Sequence, residues 1–281
     1  MAERTPPRAL SDADLDAIAR EMKAAQDAAL PLEPFSARHP GFGLEAAYAV
    51  AHRVHEMRMA EGAQPVGRKI GFTNAAMWAI HGVRDPVWAP VYDTTVELLA
   101  GTSATCALGG FHEPRIEPEI VLHFRAAPAL GGGPDGVLES IDWVAHGFEV
   151  VQSHFPEWRF AAPDTVVDRG LHARLFVGPR LPVEETGLAP ARALESFTLE
   201  LFRDGQPVES GCGANVLGSP LAAIVHLIAL LARQPFAKAL AAGELVTTGT
   251  VTTAHPVQPG ETWRTSLQGI SLPGLEIGFV A

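Results

Sequence analysis

Cysteine is scarce in this chain of 281 residues, which has only Cys106 and Cys212. Neither cysteine lies in a CxxC pair or a Cys/His cluster, so the sequence offers no disulfide framework and no thiolate zinc site. We therefore predict two reduced, structural cysteines in a cytoplasmic protein.

Positive charge is also in short supply. The chain has 21 Lys and Arg against 32 Asp and Glu, which gives a formal net charge of -11. A nucleic-acid partner requires clustered lysine and arginine side chains that neutralise phosphates. The charge balance therefore argues against nucleic acid as a partner.

The third scarce feature is long hydrophobic runs. We expect no apolar run long enough to cross a bilayer, and residues 1–7 lack the apolar core of a signal peptide. These expectations exclude a membrane as a partner.

Aromatic residues make up only 7% of the chain, whereas glycine and proline number 27 and 23, which favours tight turns and short strands. Ser11 and Asp14 predict a capped helix over residues 12–29, and apolar spacing predicts a second over 44–60. A short helix is expected over 75–82, and Ser219-Pro220 begins a long, buried helix. We interpret 85–93 and 125–138 as loops.

Helices followed by many short strands indicate an α+β protein. We expect residues 1–65 to form an N-terminal helical region of the same domain and residues 66–281 to form a β-rich catalytic body.

An acidic pair lies in an apolar, strand-favouring stretch, Arg115-Ile116-Glu117-Pro118-Glu119-Ile120. On a strand, Glu117 and Glu119 point to the same face, about 7 Å apart along the chain. Two carboxylates roughly 5 Å apart repel by about 3 kcal/mol at an effective dielectric constant near ~20. Two interpretations remain open. Either the pair lies at an exposed rim, where Arg115 or a distant lysine neutralises it, or the pair binds a divalent metal ion.

A third acid, Glu149, lies in the middle of another apolar stretch, residues 144–151. Three carboxylates on neighbouring strands would favour a hard cation, Mg²⁺, Mn²⁺ or Ca²⁺, over Zn²⁺. Lys69 lies in a short apolar strand between glycines. It is either an inward-facing cation that requires an acid or a ligand, or a charge on the surface.

Four blocks, which occur in the same order in the family, give the chain a resemblance to the fumarylacetoacetate hydrolase superfamily. Within it, the chain is similar to the 2-keto-4-pentenoate hydratase and 4-oxalocrotonate decarboxylase branch. The blocks are Gly67-Arg68-Lys69-Ile70-Gly71-Phe72-Thr73, Arg115-Ile116-Glu117-Pro118-Glu119-Ile120, Phe148-Glu149-Val150-Val151 with Asp164-Thr165-Val166-Val167-Asp168, and Gly243-Glu244-Leu245-Val246-Thr247-Thr248-Gly249-Thr250.

The resemblance implies a mixed β-roll with peripheral helices and an assembly as a homo-oligomer, dimer or larger. It implies Glu117, Glu119 and Glu149 as ligands of Mg²⁺ or Mn²⁺. It also implies Lys69 as a catalytic and substrate-binding residue, Asp164 as a catalytic residue, and Gly249 and Thr250 as the segment that binds the substrate carboxylate.

The activity that the resemblance implies is a Mg²⁺-dependent, hydratase-like lyase that acts on a 2-oxo or 2-hydroxydienoic acid through a metal-stabilised enolate. The same enolate would serve a decarboxylase or a C–C bond hydrolase of an acylpyruvate or β-diketone acid. A catalytically idle family member that binds a metal and 2-oxo acids is the non-enzyme alternative.

The chain departs from the family pattern at residues 169–174, Arg169-Gly170-Leu171-His172-Ala173-Arg174, where related hydratases have an asparagine and small residues. His172 is a candidate acid–base group near neutral pH, or a solvated loop residue. His112 and Glu113 invite comparison with the His–Glu dyad of the hydrolase branch, but no motif matches that dyad.

Overall fold

The computed structural model describes residues 10–74, 78, 83, 85–187 and 189–281. Its helices are, in chain order, α1 Asp12–Ala28, α2 Phe35–Arg38, α3 Leu44–Ala60, α4 Gly133–Glu139, α5 Ala162–Val167, α6 Pro190–Ser196 and α7 Pro220–Leu231. Single 3₁₀ turns cover Pro156–Trp158, Arg169–Leu171, Val183–Glu185 and Gly213–Asn215. The short helix predicted over residues 75–82 lies outside the described residues, apart from Trp78.

The strands are β1 Pro65–Gly71, β2 Val87–Tyr92, β3 Val96–Leu98, β4 Ser103–Ala107, β5 Arg115–Phe124, β6 Ile141–Val151, β7 His172–Val177, β8 Leu181–Pro182, β9 Thr198–Arg203, β10 Gln206–Cys212, β11 Leu245–Thr250, β12 His255–Pro256, β13 Thr262–Gln268 and β14 Glu276–Val280.

Two mixed sheets are built from these strands. The larger has the order β2-β1-β11-β5-β6-β7-β3, with β12 added to β5 and β8 to β6, and the smaller has the order β10-β9-β13-β14-β4. The main core draws apolar side chains from both sheets and from α7, including Phe148, Trp263 and Ile224. Each fully buried side chain of this kind contributes roughly 1.5–3 kcal/mol.

The N-terminal helices pack on the larger sheet's periphery. Ser11 and Asp14 form the predicted capping box, in which the Asp14 carboxylate accepts from Ser11 N at 2.9 Å. Met22 of α1 and Val54 of α3 share one buried apolar cluster with Val87 of β2 and Val166 of α5. The helical region is therefore joined to the strand-rich body by an apolar core.

Two segments that we interpreted as loops contain regular structure. Residues 87–92 form β2, an edge strand antiparallel to β1, in which Val87, Ala89 and Val91 alternate toward the buried side. Pro90 suggested a loop, but an edge strand tolerates proline because one of its sides makes no ladder bonds. The segment 125–138 contains the start of α4, whose first turn holds Pro134.

One stretch, Gly213–Leu231, is long and apolar enough to cross a membrane by length and composition alone, so the expectation about apolar runs is wrong. Core helices pass the same test. Within the stretch, α7 begins only at Pro220, behind the Ser219 cap, and covers 12 residues, a length of about 18 Å. Its buried residues Leu221, Ile224 and Leu227 belong to the main core, so we assign it to the protein interior.

Candidate active site

Three carboxylates meet on one face of the larger sheet. Glu117 and Glu119 lie on β5, and the antiparallel register places Glu149 of β6 directly opposite Glu117. Directly opposed residues of an antiparallel pair project from the same face. Oxygen atoms of the three side chains consequently lie within 4.8 Å of one another.

A buried lysine faces these acids. Lys69, on β1, is only 3% exposed, and its Nζ lies 3.1 Å from Glu149 Oε2. Burial alone lowers the pKa of Lys69, but the charges of Glu149, Glu117 and Glu119 outweigh burial and raise it. Lys69 is therefore an inward-facing cation, and the alternative of a surface charge is wrong.

Glu119 is held by β11. One of its oxygens, Oε2, accepts hydrogen bonds from the Thr247 hydroxyl and, at 2.7 Å, from Gly249 N–H. Its other oxygen, Oε1, is buried and has no hydrogen-bond partner in the described part of the chain. A buried, unpaired carboxylate oxygen is costly, and a cation bound there would remove that cost.

The donor set suits a hard divalent cation. All three candidate ligands are carboxylates on rigid strands, and Mg²⁺ and Mn²⁺ prefer oxygen ligands. Burial, with the Glu149 charge, raises the pKa of Glu117 to about 7, and the pKa of Glu119 is raised for the same reasons. Without a cation, the cluster therefore retains a proton near neutral pH.

Cation binding should accordingly release protons. Because only ionised carboxylates ligate well, Mg²⁺ affinity should rise as the pH increases through about 7, by up to about tenfold per pH unit for each proton displaced. Calorimetry at pH 7 in two buffers with different ionisation enthalpies would measure the release. Equal binding heats in both buffers would contradict this prediction.

His172 begins β7 and lies behind Glu149. Its Nδ1 is 2.7 Å from Glu149 Oε1 and its Nε2 is 2.8 Å from Thr95 Oγ1. Burial lowers the pKa of His172, although Glu149 opposes that change. In the neutral tautomer that fits both contacts, Nδ1–H donates to Glu149 and Nε2 accepts from Thr95. The interpretation of His172 as a solvated loop residue is wrong, since the ring is buried and orients Glu149.

Asp164 makes structural contacts. Its Oδ1 accepts from Ser36 N at 2.9 Å, and its Oδ2 accepts from Ser36 Oγ at 2.5 Å and from Ala161 N at 2.8 Å. These bonds cap the start of α5 and tie it to α2. Asp164 does not line the cavity beside the carboxylates, so the structure does not bring this catalytic candidate to the acids.

The Gly249-Thr250 segment lies beside Glu119. Gly249 has φ +100°, and a Cβ atom built on it would lie 1.8 Å from Thr73 Oγ1, so only glycine fits. Its N–H donates to Glu119 Oε2, and the Thr250 hydroxyl accepts from Thr252 N–H at 3.2 Å. Gly249 and Thr250 both line the cavity.

A cavity of about 220 Å³ opens over Glu117 and Glu119. It is lined in part by residues to which the sequence pattern assigned no role in the site: Phe72, Thr73, Trp158, Phe160, Leu171 and Thr252. Arg115, which we considered as a neutralising charge, also lines it, with its guanidinium 4.0 Å from the centre of the Trp158 ring. Trp158 has φ +56°, a turn conformation that no sequence pattern predicted.

The side chains of His112 and Glu113 contact other residues and do not form a His–Glu dyad with each other. His112 Nδ1 lies 2.6 Å from Ser153 O, whereas Glu113 accepts from Glu157 N at 3.1 Å. Each of the two side chains is thus engaged elsewhere.

Comparison with known proteins agrees with this geometry. The family model "Fumarylacetoacetate (FAA) hydrolase C-terminal" matches residues 45–274. The 2-keto-4-pentenoate hydratase of Paraburkholderia xenovorans is 29% identical over 253 residues, which cover 90% of each chain. A 4-oxalocrotonate decarboxylase of a Pseudomonas species is 31% identical over 227 residues, which cover 79% of this chain and 80% of that protein.

A solved structure, 4-oxalocrotonate decarboxylase from Pseudomonas putida G7 complexed with magnesium and adipate, matches with a TM-score of 0.88. It is 26% identical and the match covers 97% of this chain and 100% of that chain. The predicted α+β fold, a mixed β-roll with peripheral helices, is confirmed. The chain therefore belongs to the fumarylacetoacetate hydrolase superfamily, as one of its metal-dependent enzymes.

Proposed function

We propose that this chain is a Mg²⁺-dependent lyase of the hydratase type that acts on a 2-oxo acid or its 2-hydroxydienoic form. The observation that carries the proposal is the cluster of half-buried Glu117 with buried Glu119 and Glu149 beside Lys69, at a small cavity. The names of the hydratase and decarboxylase relatives support the same chemistry.

Glu117, Glu119 and Glu149 would hold the ion. When bound, Mg²⁺ supplies a Lewis acid that stabilises negative charge on a 2-oxo oxygen. Lys69 adds a fixed positive charge next to Glu149, where it favours the same charge build-up and binds substrate. Thr247 and Gly249 orient Glu119, His172 orients Glu149, and the Thr250 hydroxyl would donate to the substrate carboxylate.

The apolar wall contributes by excluding water. Phe72, Phe160 and Leu171 line the same cavity as the acids. In such surroundings, the charge interactions of Lys69 with a bound anion are stronger than in water. His172 does not line the cavity. We therefore assign it to positioning Glu149 and not to the predicted role of an acid–base group.

A substrate screen tests the activity. A panel of 2-hydroxydienoates, 2-oxo dicarboxylates and acylpyruvates would be followed by loss of ultraviolet absorbance with Mg²⁺. Mass spectrometry would then distinguish a product with one added water from one that has lost carbon dioxide or one cleaved into two fragments. Chelator-sensitive binding of oxalate without turnover of any acid would favour the catalytically idle alternative.

Decarboxylation of a 2-oxo dicarboxylate is the second candidate, and Arg115 favours it. Its guanidinium lines the cavity, forms no hydrogen bond or ion pair with any described side chain, and lies over Trp158. Adipate, which is bound in the structurally similar decarboxylase, is a dicarboxylate. Arg115 is therefore placed to bind a second carboxylate at the substrate's distal end.

Replacement of Arg115 by methionine should raise KM for 2-oxo dicarboxylates by about tenfold or more, because a charge-assisted hydrogen bond is lost. KM for 2-oxo monocarboxylates should stay unchanged. The matched control is Arg264→Met, since Arg264 also lies over an aromatic ring, Phe202 at 4.2 Å, but on the smaller sheet. An equal change for both substrate classes would contradict this role.

We further propose that the protein is a cytoplasmic homo-oligomer, a dimer or larger. The support is the resemblance to catabolic enzymes of the same family. Light scattering coupled to size-exclusion chromatography tests the assembly, and a mass equal to one chain would refute it.

A further inference from the structure

A second cavity lies on the other side of β1 from the carboxylates. Its volume is about 550 Å³, and α3, β2 and the segment 234–241 contribute to its walls. Because neighbouring residues of a strand point to opposite faces, Lys69 reaches the first cavity and Arg68 the second. The volume falls in the range of roughly 300–1,000 Å³ that is typical of small-molecule sites.

The walls of this second cavity are rich in flat rings. The Tyr48 and Trp88 rings stack at 5.9 Å with 21° between their planes. The rings of His52 and Phe236 stack at 4.7 Å with 12° between their planes. Trp88 Nε1 is a buried donor without a hydrogen-bond partner in the described part of the chain. Planar apolar walls of this kind favour a planar ligand.

One of the two guanidinium groups in the cavity is unpaired. The Arg169 guanidinium lines the cavity and forms no hydrogen bond or ion pair with any described side chain, and its Nε is buried without a partner. Arg68, in contrast, is bound to Glu244 at 2.9 Å and to Lys238 O at 2.7 Å. Lys238 also lines the cavity, but it is exposed to solvent. Arg169 is therefore the guanidinium free to bind an anion, and a guanidinium suits a carboxylate.

Arg169 is also held in place at a conformational cost. Arg169, Gly170 and Leu171 have consecutive φ values of 52°, 60° and 69°. Positive φ is unfavourable for residues other than glycine, and such strain persists only where the surroundings enforce it. This turn directs Arg169 into the second cavity while Gly170 and Leu171 line the first.

We propose that the second cavity binds a small aromatic carboxylate, with the carboxylate on Arg169 and the ring between the aromatic walls. This site is separate from the carboxylate cluster and does not depend on a metal ion or on the activity proposed above.

The direct test is a crystal of the protein grown with Mg²⁺ and soaked in 4-bromobenzoate, whose bromine gives an anomalous signal. Bromine between the aromatic walls, with the carboxylate on Arg169, would support the proposal. Bromine only beside Glu117 and Glu119, no bromine at all, or a neighbouring copy's side chain in the cavity would overturn it.

Binding in solution provides a second test. In the presence of a chelator, which removes metal-dependent binding, benzoate should bind saturably with a dissociation constant in the roughly millimolar range, as expected for a ligand of so few atoms. Arg169→Asn should weaken binding by about tenfold or more. Asparagine is chosen because it tolerates positive φ.

Arg203→Asn, on the smaller sheet, is the control and should bind benzoate like the wild type. Equal affinity in the Arg169→Asn variant would overturn the proposal. If that variant does not fold, a benzoate-induced shift of the Trp88 indole N–H resonance in the wild-type protein decides instead, and an unshifted resonance at saturation would refute the site.

Discussion

Replacing Glu117 and Glu119 together with glutamine removes Mg²⁺ binding and lowers kcat/KM by about 10³-fold or more, because two of three anionic ligands are lost. Glutamine keeps the size of each side chain but supplies only a neutral oxygen. Calorimetry of Mg²⁺ binding and steady-state kinetics on the substrate found by screening are the measurements. Retention of full Mg²⁺-dependent activity would rule out this ligand assignment.

The same double variant separates a lost ligand set from a lost fold. In the wild type, Mg²⁺ should raise the melting temperature, because an ion that binds only the native state stabilises it by mass action. The variant should show no such rise. Without metal it should melt no lower than the wild type, since the buried charge repulsion is gone. Glu184→Gln with Glu185→Gln, in an exposed 3₁₀ turn, is the matched control.

The parts of the site that the sequence predicted are those set by strand periodicity. Glu117 and Glu119 share a face because they are two residues apart on one strand, and both lie in apolar surroundings. Glu149 and Lys69 were recognisable as lone charges in buried strands. In each case a local pattern contained the physical reason for the position of the side chain.

Other parts depend on contacts between distant segments. Asp164 is a buried acid in a family block, but its partner Ser36 lies 128 positions away, and only the structure shows this structural pairing. His172 likewise gains its role from Glu149, 23 positions earlier. Arg115 and Trp158 meet through a turn with positive φ, which the sequence does not encode as a recognisable motif.

The prediction of a loop over residues 85–93 was wrong for a related reason. The edge strand Val87–Tyr92 contains Pro90, and a local rule interprets proline as a breaker. Its position at the sheet edge, which decides whether proline is tolerated, is a property of the whole sheet. The long helices were predicted correctly because capping and 3.6-residue spacing are local signals.

Gly249→Ala is the second change with a large expected effect. The new Cβ would collide with Thr73 Oγ1 at 1.8 Å, and the backbone has φ +100°, which alanine adopts poorly. We expect the free energy of unfolding to fall by about 3 kcal/mol or more, from overpacking together with backbone strain. Because Gly249 N–H holds Glu119, Mg²⁺ affinity should also fall, by about tenfold or more, as expected when the support of a ligand is lost. Chemical denaturation and calorimetry measure the two effects.

Gly243→Ala isolates the collision from the backbone strain. Gly243 also has positive φ, +86°, but a Cβ atom built there meets nothing within 4 Å. This variant should therefore lose only about 1 kcal/mol, the cost of placing alanine at positive φ, and should bind Mg²⁺ like the wild type. Similar losses of stability and of Mg²⁺ affinity in both variants would mean that φ alone dictates glycine at 249, and that the contact with Thr73 does not shape the site around Glu119.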